Sequence, residues 1–390
     1  MRKIIIACDS YKGCLSSREV NEALGGVKSE ERRVKSEERR VKNATELASR
    51  IVALEMSDGG DGMLDAFLSV LGGERVSMHA HDALMRWIDA DYGIVKASSS
   101  PMFDSLGIAE GLPVAIVEIA QTAGLALIEP EQRNPEKATS WGVGEQLMHA
   151  YRRGVRHFIV GLGGSATSDC GIGMLKAMGD DWKKIRMDST FVLASDVTNP
   201  LCGPHGAAHV FAPQKGADAA MVERLDARAR KFAEISKKHF EKEYDDAGSF
   251  QDMIIDASEM PGAGAAGGLG YAFLQYFHGE FHSGADLLLD AVDFGHLVAD
   301  ADLVITGEGH SDKQTLMGKL PMKILEQCKK HQVKAWLVSG GISDQEVLLA
   351  AGFDRVIAVT PKEMPLSEAM NPKIAKELLH KIGDNEIYHF

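Results

Sequence analysis

Phe158-Ile159-Val160-Gly161-Leu162-Gly163-Gly164-Ser165-Ala166-Thr167-Ser168-Asp169-Cys170-Gly171-Ile172-Gly173-Met174 runs from a short apolar segment, through a turn of glycines and hydroxyls, into a stretch with helical spacing. Strand, loop, helix is the repeating unit of α/β proteins. The same alternation continues outward in both directions. Ile4-Ile5-Ile6-Ala7-Cys8, Arg50-Ile51-Val52-Ala53-Leu54-Glu55-Met56 and Val114-Ala115-Ile116-Val117-Glu118-Ile119-Ala120 read as buried strands upstream. Leu303-Val304-Ile305-Thr306, Ala335-Trp336-Leu337-Val338 and Val356-Ile357-Ala358-Val359 do so downstream. Helix-length segments separate these runs, which predicts parallel strands covered on both faces and an α/β fold class. In such sheets ligands lie beyond the carboxyl ends of the strands. Nearly every run ends in Gly, Asp, Glu, Ser or Thr.

Composition narrows the function. Of 390 residues, 43 are Lys or Arg and 56 Asp or Glu, for a net charge of −13. That sign argues against a nucleic-acid partner, because a phosphate backbone asks for excess positive charge. No apolar run approaches the ~18 residues of a spanning helix, so no membrane partner is expected. The apolar start meets Asp9 before it reaches signal-peptide length, and a buried first strand explains it better. The 5 cysteines are scattered, with no CxxC pair and no zinc spacing, which suits a reducing cytoplasm. Residues 27–33 read VKSEERR and residues 34–40 repeat them, with a third start at Val41-Lys42. One apolar residue in seven is too thin a stripe to bury, so a solvated helical or frayed segment is expected.

Glycine is the marked excess, at 40 residues. The glycines cluster, which means close backbone approach or positive φ in several places. In the loop above, main-chain N–H groups at a helix start suit an anion. Ser165 and Thr167 add hydroxyl donors, and Asp169 can hold a metal or accept a proton. Pro261-Gly262-Ala263-Gly264-Ala265-Ala266-Gly267-Gly268 contains a formal GxGxxG but lacks a good strand before it. It reads as a phosphate-binding or helix-packing loop. Acids stand beside glycine at four strand ends: Asp9, then Asp58 and Asp61, then Asp196, then Glu308 and Asp312. Gathered carboxylates suit Mg²⁺, and Lys12, Lys215 and Lys319 would screen phosphate charge. Together these features predict phosphoryl transfer, which needs positioning and charge stabilisation more than a covalent nucleophile. There is no GxxxxGK[ST], no protein-kinase motif set and no GxSxG elbow.

Several motifs in order resemble those of the type I glycerate kinases of bacteria. Asp9-Ser10-Tyr11-Lys12-Gly13-Cys14-Leu15-Ser16 is similar to the family's DSFK-x-SLS start, and Ser57-Asp58-Gly59-Gly60-Asp61-Gly62 to its ADGGEG. Arg133-Asn134-Pro135, Thr139-Ser140 and Gly142-Val143-Gly144-Glu145 resemble RNP…TS-x-GxGE, and the loop at Gly163 resembles GGSATND. Asp196-Val197-Thr198-Asn199-Pro200-Leu201, Pro213-Gln214-Lys215-Gly216-Ala217 and the run from Pro261 to Gly268 resemble DVxNPL, PQKGA and PGAGAAGG. Gly307-Glu308-Gly309, Asp312, Gln314 and Gly318-Lys319-Leu320-Pro321 resemble GEGRxDxQ…GKxP. The similarity reaches to about residue 360.

The resemblance implies a cytoplasmic enzyme that phosphorylates D-glycerate with ATP and Mg²⁺, most simply to 2-phosphoglycerate, as a monomer or homodimer. It implies two α/β domains with the active site in the cleft between them. Residues 1–75 with 285–390 would form a discontinuous Rossmann-like domain on a parallel sheet, and 76–284 an inserted, mixed α/β domain. By the same resemblance Asp196, Glu308, Lys12 and Asp169 are the catalytic candidates, with Asp196 and Glu308 on the metal. Gly163, Gly164, Ser165, Ala166, Thr167, Gly262, Gly264, Gly267, Gly268, Lys215 and Lys319 would hold the nucleotide. Asp9, Ser10, Lys12, Asp58, Gly59, Gly60, Arg133, Asn199, His310 and Asp312 would hold the substrate, Lys12 and Arg133 on its carboxylate. Alternatives are a kinase giving 3-phosphoglycerate, a non-catalytic ligand-binding remnant, or a dehydrogenase using the GxGxxG. Two departures stand out. His310 replaces an Arg, exchanging a permanent bidentate cation for a mostly neutral ring. Ser168 and Cys170, both small, replace a common Asn and Gly, and the loop is expected to tolerate them.

Overall fold

A computed structural model describes residues 2–26, 50–247, 255–387 and 390. The VKSEERR repeat lies outside these residues. The strands are β1 (Lys3–Cys8), β2 (Arg50–Ala53), β3 (Glu74–His81), β4 (Trp87–Lys96), β5 (Pro113–Glu118), β6 (His157–Gly161), β7 (Thr190–Ala194), β8 (Glu280–His282), β9 (Leu303–Gly307), β10 (His310–Ser311), β11 (Lys334–Ser339), β12 (Gly341–Ile342) and β13 (Arg355–Ala358). The helices that matter below are α1 (Ser17–Leu24), α2 (Met63–Leu71), α3 (Trp141–Arg152), α4 (Ile172–Met178), α5 (Ala219–Ala247), α6 (Ala265–Phe277), α7 (Leu320–His331) and α8 (Pro372–Ile382). The chain divides into two compact units, one of residues 1–58, 100–102 and 288–390, the other of residues 59–99 and 103–287.

The first unit is built on a five-stranded sheet of order β13-β11-β9-β1-β2. Every pairing in it is parallel, with Ile4–Cys8 in register with Leu303–Gly307. Ile4 to Cys8 are all buried, as a central parallel strand covered on both faces requires. Counted within the unit, the order reads 2-1-3-4-5, the flavodoxin-like arrangement of a doubly wound sheet. Its direction of winding reverses between β1 and β9, which is where such sheets bind ligands.

α1 fixes the ends of two strands beside that point. It starts with a capping box, Ser16 with Glu19, and Glu19 also pairs with Lys376 of α8 at 2.7 Å. One turn apart on its buried face, Ser17 and Asn21 form a polar clamp. Ser17 Oγ donates to the Cys8 carbonyl at 2.6 Å and accepts from the Met56 amide at 2.9 Å. Asn21 Oδ1 accepts from the Cys8 amide at 3.0 Å, and its Nδ2 donates to the Leu54 carbonyl at 2.6 Å. The backbone leading to Asp9 and Asp58 is thereby tied to one helix.

The second unit has a six-stranded sheet of order β3-β4-β5-β6-β7-β8. β5 to β8 are parallel, whereas β3, β4 and β5 pair antiparallel. The sheet of this unit is therefore mixed at this edge. β3 and β4 are joined by a short turn in which Asp82 Oδ1 accepts from the Leu84 and Arg86 amides, both at 2.8 Å. A connection that short permits only antiparallel pairing. α2 packs on β4 and β5, so residues 59–75 belong to this unit rather than to the first, where the sequence expectation put them. The core gathers Val117, Val160 and Leu193 from the sheet with Val143, Met174 and Phe273 from α3, α4 and α6.

Candidate active site

In the first unit, the residues after β1 and β9 meet at the winding reversal. Asp9, the first residue past β1, donates its amide to the Gly307 carbonyl at 2.9 Å, and its carboxylate accepts from the Ser10 amide at 2.7 Å. Its side chain is buried. Burial, with the nearby charges of Asp58 and Glu308 added, pushes its pKa up to about 7, against the opposing pull of Lys12. Lys12 reaches Asp58 at 2.8 Å. Glu308, just past β9, is held on three sides: Oε1 accepts from Ser311 Oγ at 3.2 Å and Thr315 Oγ1 at 2.7 Å, and Oε2 pairs with Lys319 at 3.1 Å, which leaves lone-pair capacity on the carboxylate. Gly307 is a glycine because a Cβ there would overlap the Val338 carbonyl of the neighbouring strand. The structure thus brings together Asp9, Ser10, Lys12, Asp58, Glu308 and Lys319 of the expected set. His310 instead lies on the two-stranded β10–β12 ribbon, its Nε2 3.0 Å from Ser343 Oγ. Asp312 caps a short helical turn, accepting from the Gln314 amide at 2.7 Å.

In the second unit, the loop after β6 is the comparable feature. It runs over Gly59 and Gly60: the Gly163 amide donates to the Gly59 carbonyl at 3.2 Å, and a Cβ on Gly163 would overlap Gly60 Cα. The Leu125 amide donates to the Gly164 carbonyl at 2.7 Å, and the Ala166 amide to the Ala123 carbonyl at 2.7 Å, which tethers the loop from the β5 side. Lys215 enters from a helical turn that Gly216 reverses at φ +95°. Only 3 % of Lys215 is exposed. Its Nζ donates to Ser165 Oγ at 2.8 Å and to the Thr167 carbonyl at 2.7 Å. Burial pushes its pKa down to about 7, opposed by the field of Asp169. The N–H groups of Ser165, Thr167, Ser168 and Asp169 belong to buried residues and have no protein acceptor among the described residues. Ser168 Oγ is likewise buried and unpartnered. Buried polar groups are normally paired, so a run of open donors beside a buried ammonium is what an anion would complete.

Other expected residues take structural parts. The Asp169 carboxylate accepts from the amides of Gly171, Gly173 and Ser140 and from the hydroxyls of Ser140 and Thr139, at 2.9–3.3 Å. It ties together the starts of α3 and α4 and has little capacity left for the catalytic part expected of it. Gly262, Gly264, Gly267 and Gly268 are buried, and each is a glycine because a Cβ would strike protein. Gly267 and Gly268, at φ +68° and +90°, press against Thr167 and Cys170. Gly262 faces the Phe281 ring, and Gly264 the Pro200 carbonyl. These contacts pack this loop behind the loop after β6. Arg133 Nε donates to the Ile128 carbonyl at 3.2 Å, and Asn199 Nδ2 to the His205 carbonyl at 2.8 Å. Asp196 stands exposed beyond the end of β7.

Sequence reasoning missed three contributors. Ser17 and Asn21 carried only helix spacing as a signal. Glu118 ends an apolar strand, a pattern that could have flagged it; its carboxylate accepts from the Gly62 and Leu64 amides at 3.3 and 3.1 Å and caps α2. Burial pushes its pKa up to about 7, with those two amides opposing. Among the described residues no three His, Cys, Asp or Glu side chains are grouped to cage a metal ion. Mg²⁺ in phosphoryl transfer takes one or two carboxylates and completes its shell with phosphate oxygens and water, so Glu308 fits it as a ligand.

Known proteins resemble the chain over nearly its whole length. The sequence pattern described as "Glycerate kinase family" matches residues 4–184 and 180–388. A protein of Bacillus cereus named glycerate kinase is 32 % identical over 410 residues, covering 98 % of this chain and 96 % of the relative. One of Escherichia coli named glycerate 2-kinase is 32 % identical over 395 residues, covering 94 % and 93 %. A crystal structure from Salmonella typhimurium, assigned as a glycerate kinase 2, superposes with a TM-score of 0.71 at 30 % identity, covering 100 % of this chain and 98 % of that one.

Proposed function

The chain belongs to the glycerate kinase family, and from that premise we propose that it transfers the γ-phosphoryl group of ATP to the 2-hydroxyl of D-glycerate. The observation that supports this reading most directly is the loop of residues 163–169. Its open buried amides and its hydroxyls, backed by Lys215, form a cradle for phosphate oxygens. The relative named glycerate 2-kinase supports the choice of hydroxyl.

Within this reading each residue has a chemical part. The open main-chain donors of Ser165, Thr167, Ser168 and Asp169, with the Ser165 and Thr167 hydroxyls, orient the phosphates, while Gly163, Gly164 and Ala166 shape the loop that presents them. In the first unit, Asp9 is the carboxylate best suited to take the proton of the attacking hydroxyl. Its raised pKa brings its basicity close to neutrality, where general-base catalysis is most efficient. Lys12 and Lys319, each held by an acid, present positive charge to an anionic substrate. Glu308 would hold Mg²⁺, with Asp196 the other carboxylate proposed for metal or base work. Bound there, the ion would offset charge on the transferring phosphoryl group.

The test is phosphorus NMR of the product formed from D-glycerate and Mg·ATP. Phosphate on C2 couples to a single proton and gives a doublet, whereas phosphate on C3 gives a triplet. ADP release that depends on glycerate, with the doublet, supports the reading. A triplet overturns the choice of hydroxyl, and no glycerate-dependent ADP overturns the activity.

A further inference from the structure

We propose that Lys215 and Arg228 are positioning residues: from behind the phosphate loop they hold the carbonyls of Thr167 and Ser168, so that the next two amides are turned toward the nucleotide's phosphates. The proposal rests on the phosphate reading above and assigns a part to Arg228, which no motif marks.

In a trans peptide the C=O and the following N–H point in opposite directions. Lys215 Nζ takes the Thr167 carbonyl at 2.7 Å, so the Ser168 N–H points away from it. Arg228 Nη2 takes the Ser168 carbonyl at 3.0 Å, so the Asp169 N–H points away in turn. Those two N–H groups are among the buried donors without a protein acceptor among the described residues. Two cations on successive carbonyls therefore fix two successive peptide planes. Arg228 is itself anchored: its Nη1 donates to the Glu136 carbonyl at 3.2 Å. One turn earlier on α5, Arg224 holds the Glu136 carboxylate in a fork at 3.0 and 2.9 Å without touching the loop. The helix thus carries two arginines four residues apart, of which one touches the loop and one provides a control.

The experiment compares Arg228→Met, Arg228→Lys, Lys215→Met and Arg224→Met with the wild type. ADP affinity is measured by calorimetry without glycerate, and KM for ATP, KM for glycerate and kcat are measured in parallel. A charged hydrogen bond that orients a donor predicts a loss of ADP affinity of about 10-fold or more in Arg228→Met and Lys215→Met. KM for ATP rises in step while KM for glycerate stays within about two-fold. Arg228→Lys, which keeps one donor, recovers part of the affinity, and Arg224→Met keeps all of it. ADP affinity unchanged in a folded Arg228→Met protein overturns the proposal, as does an equal loss in Arg224→Met, which would reduce the effect to helix anchoring. Wild-type protein that binds neither ADP nor pyrophosphate overturns the phosphate reading itself, and this proposal with it.

Discussion

Replacing Asp9 by Asn should make the protein more stable and less active, and the gain should depend on pH. In the fold the carboxyl has a pKa of about 7, against 3.8 for an unhindered aspartate. Between those values the folded chain binds a proton that the unfolded chain has released, so stability falls as pH rises through this window. A tenfold change in proton affinity is worth about 1.4 kcal/mol, so by pH 8 the ionised Asp9 opposes folding by about 4 kcal/mol. Asn has nearly the same shape and no charge, so D9N should be more stable than wild type by about that amount at pH 8. At pH 5 the folded carboxyl is protonated, and the advantage should shrink by about 2–3 kcal/mol. Urea denaturation at both pH values, followed by far-UV circular dichroism, measures the difference. Turnover of glycerate should fall about 100-fold or more, the usual effect of losing a general base. A D9N protein no more stable than wild type at pH 8, or an advantage that does not change with pH, would refute the reasoning. So would full turnover, because the strain at Asp9 would then serve no chemistry.

Three further outcomes follow from the same geometry. Lys215 has its pKa pushed down to about 7 from 10.5, so the fold opposes its ammonium; stability should rise with pH between about 7 and 10 in wild type, and this rise should vanish in Lys215→Met, read from thermal midpoints across that range. Gly267→Ala would place a Cβ on the Thr167 carbonyl at a backbone φ of +68°, so it should lower stability by about 3 kcal/mol or more and weaken ADP binding through the displaced loop, by denaturation and calorimetry; a neutral substitution would show that the two loops are not in the described contact. Asn21→Leu leaves the buried Cys8 amide and the part-buried Leu54 carbonyl unpaired, so it should destabilise by about 2–3 kcal/mol and lower kcat more than KM, checked by denaturation and steady-state kinetics.

What the sequence discloses here is divided by physics. β1, β5, β6, β9 and β11 were legible because a strand buried on both faces is an uninterrupted apolar run, and the edge strand β13, only partly buried, keeps such a run as well. β3 and β4 were not, since one face of each is wet and their pattern, such as Glu74-Arg75-Val76-Ser77-Met78-His79, looks polar throughout. The glycine loops were legible as places of close approach, but a glycine does not say what approaches it. Gly163 lies against Gly60, and Gly267 lies against Thr167, so the same residue type that admits a ligand elsewhere admits backbone here. Asp169 shows the same limit for acids. Its place in a glycine loop suggested chemistry, and only the five donors around its carboxylate reveal a tie between α3 and α4. Asp9 is the reverse case. A turn-forming aspartate after a strand is ordinary in sequence, and its character comes from burial beside Asp58 and Glu308, which lie 49 and 299 residues away along the chain. Functional charge in this protein is therefore set by the charges and donors that folding assembles around a carboxylate. In the first unit that assembly occurs where the winding reverses between β1 and β9, the point at which neighbouring strand ends diverge and leave room for a ligand.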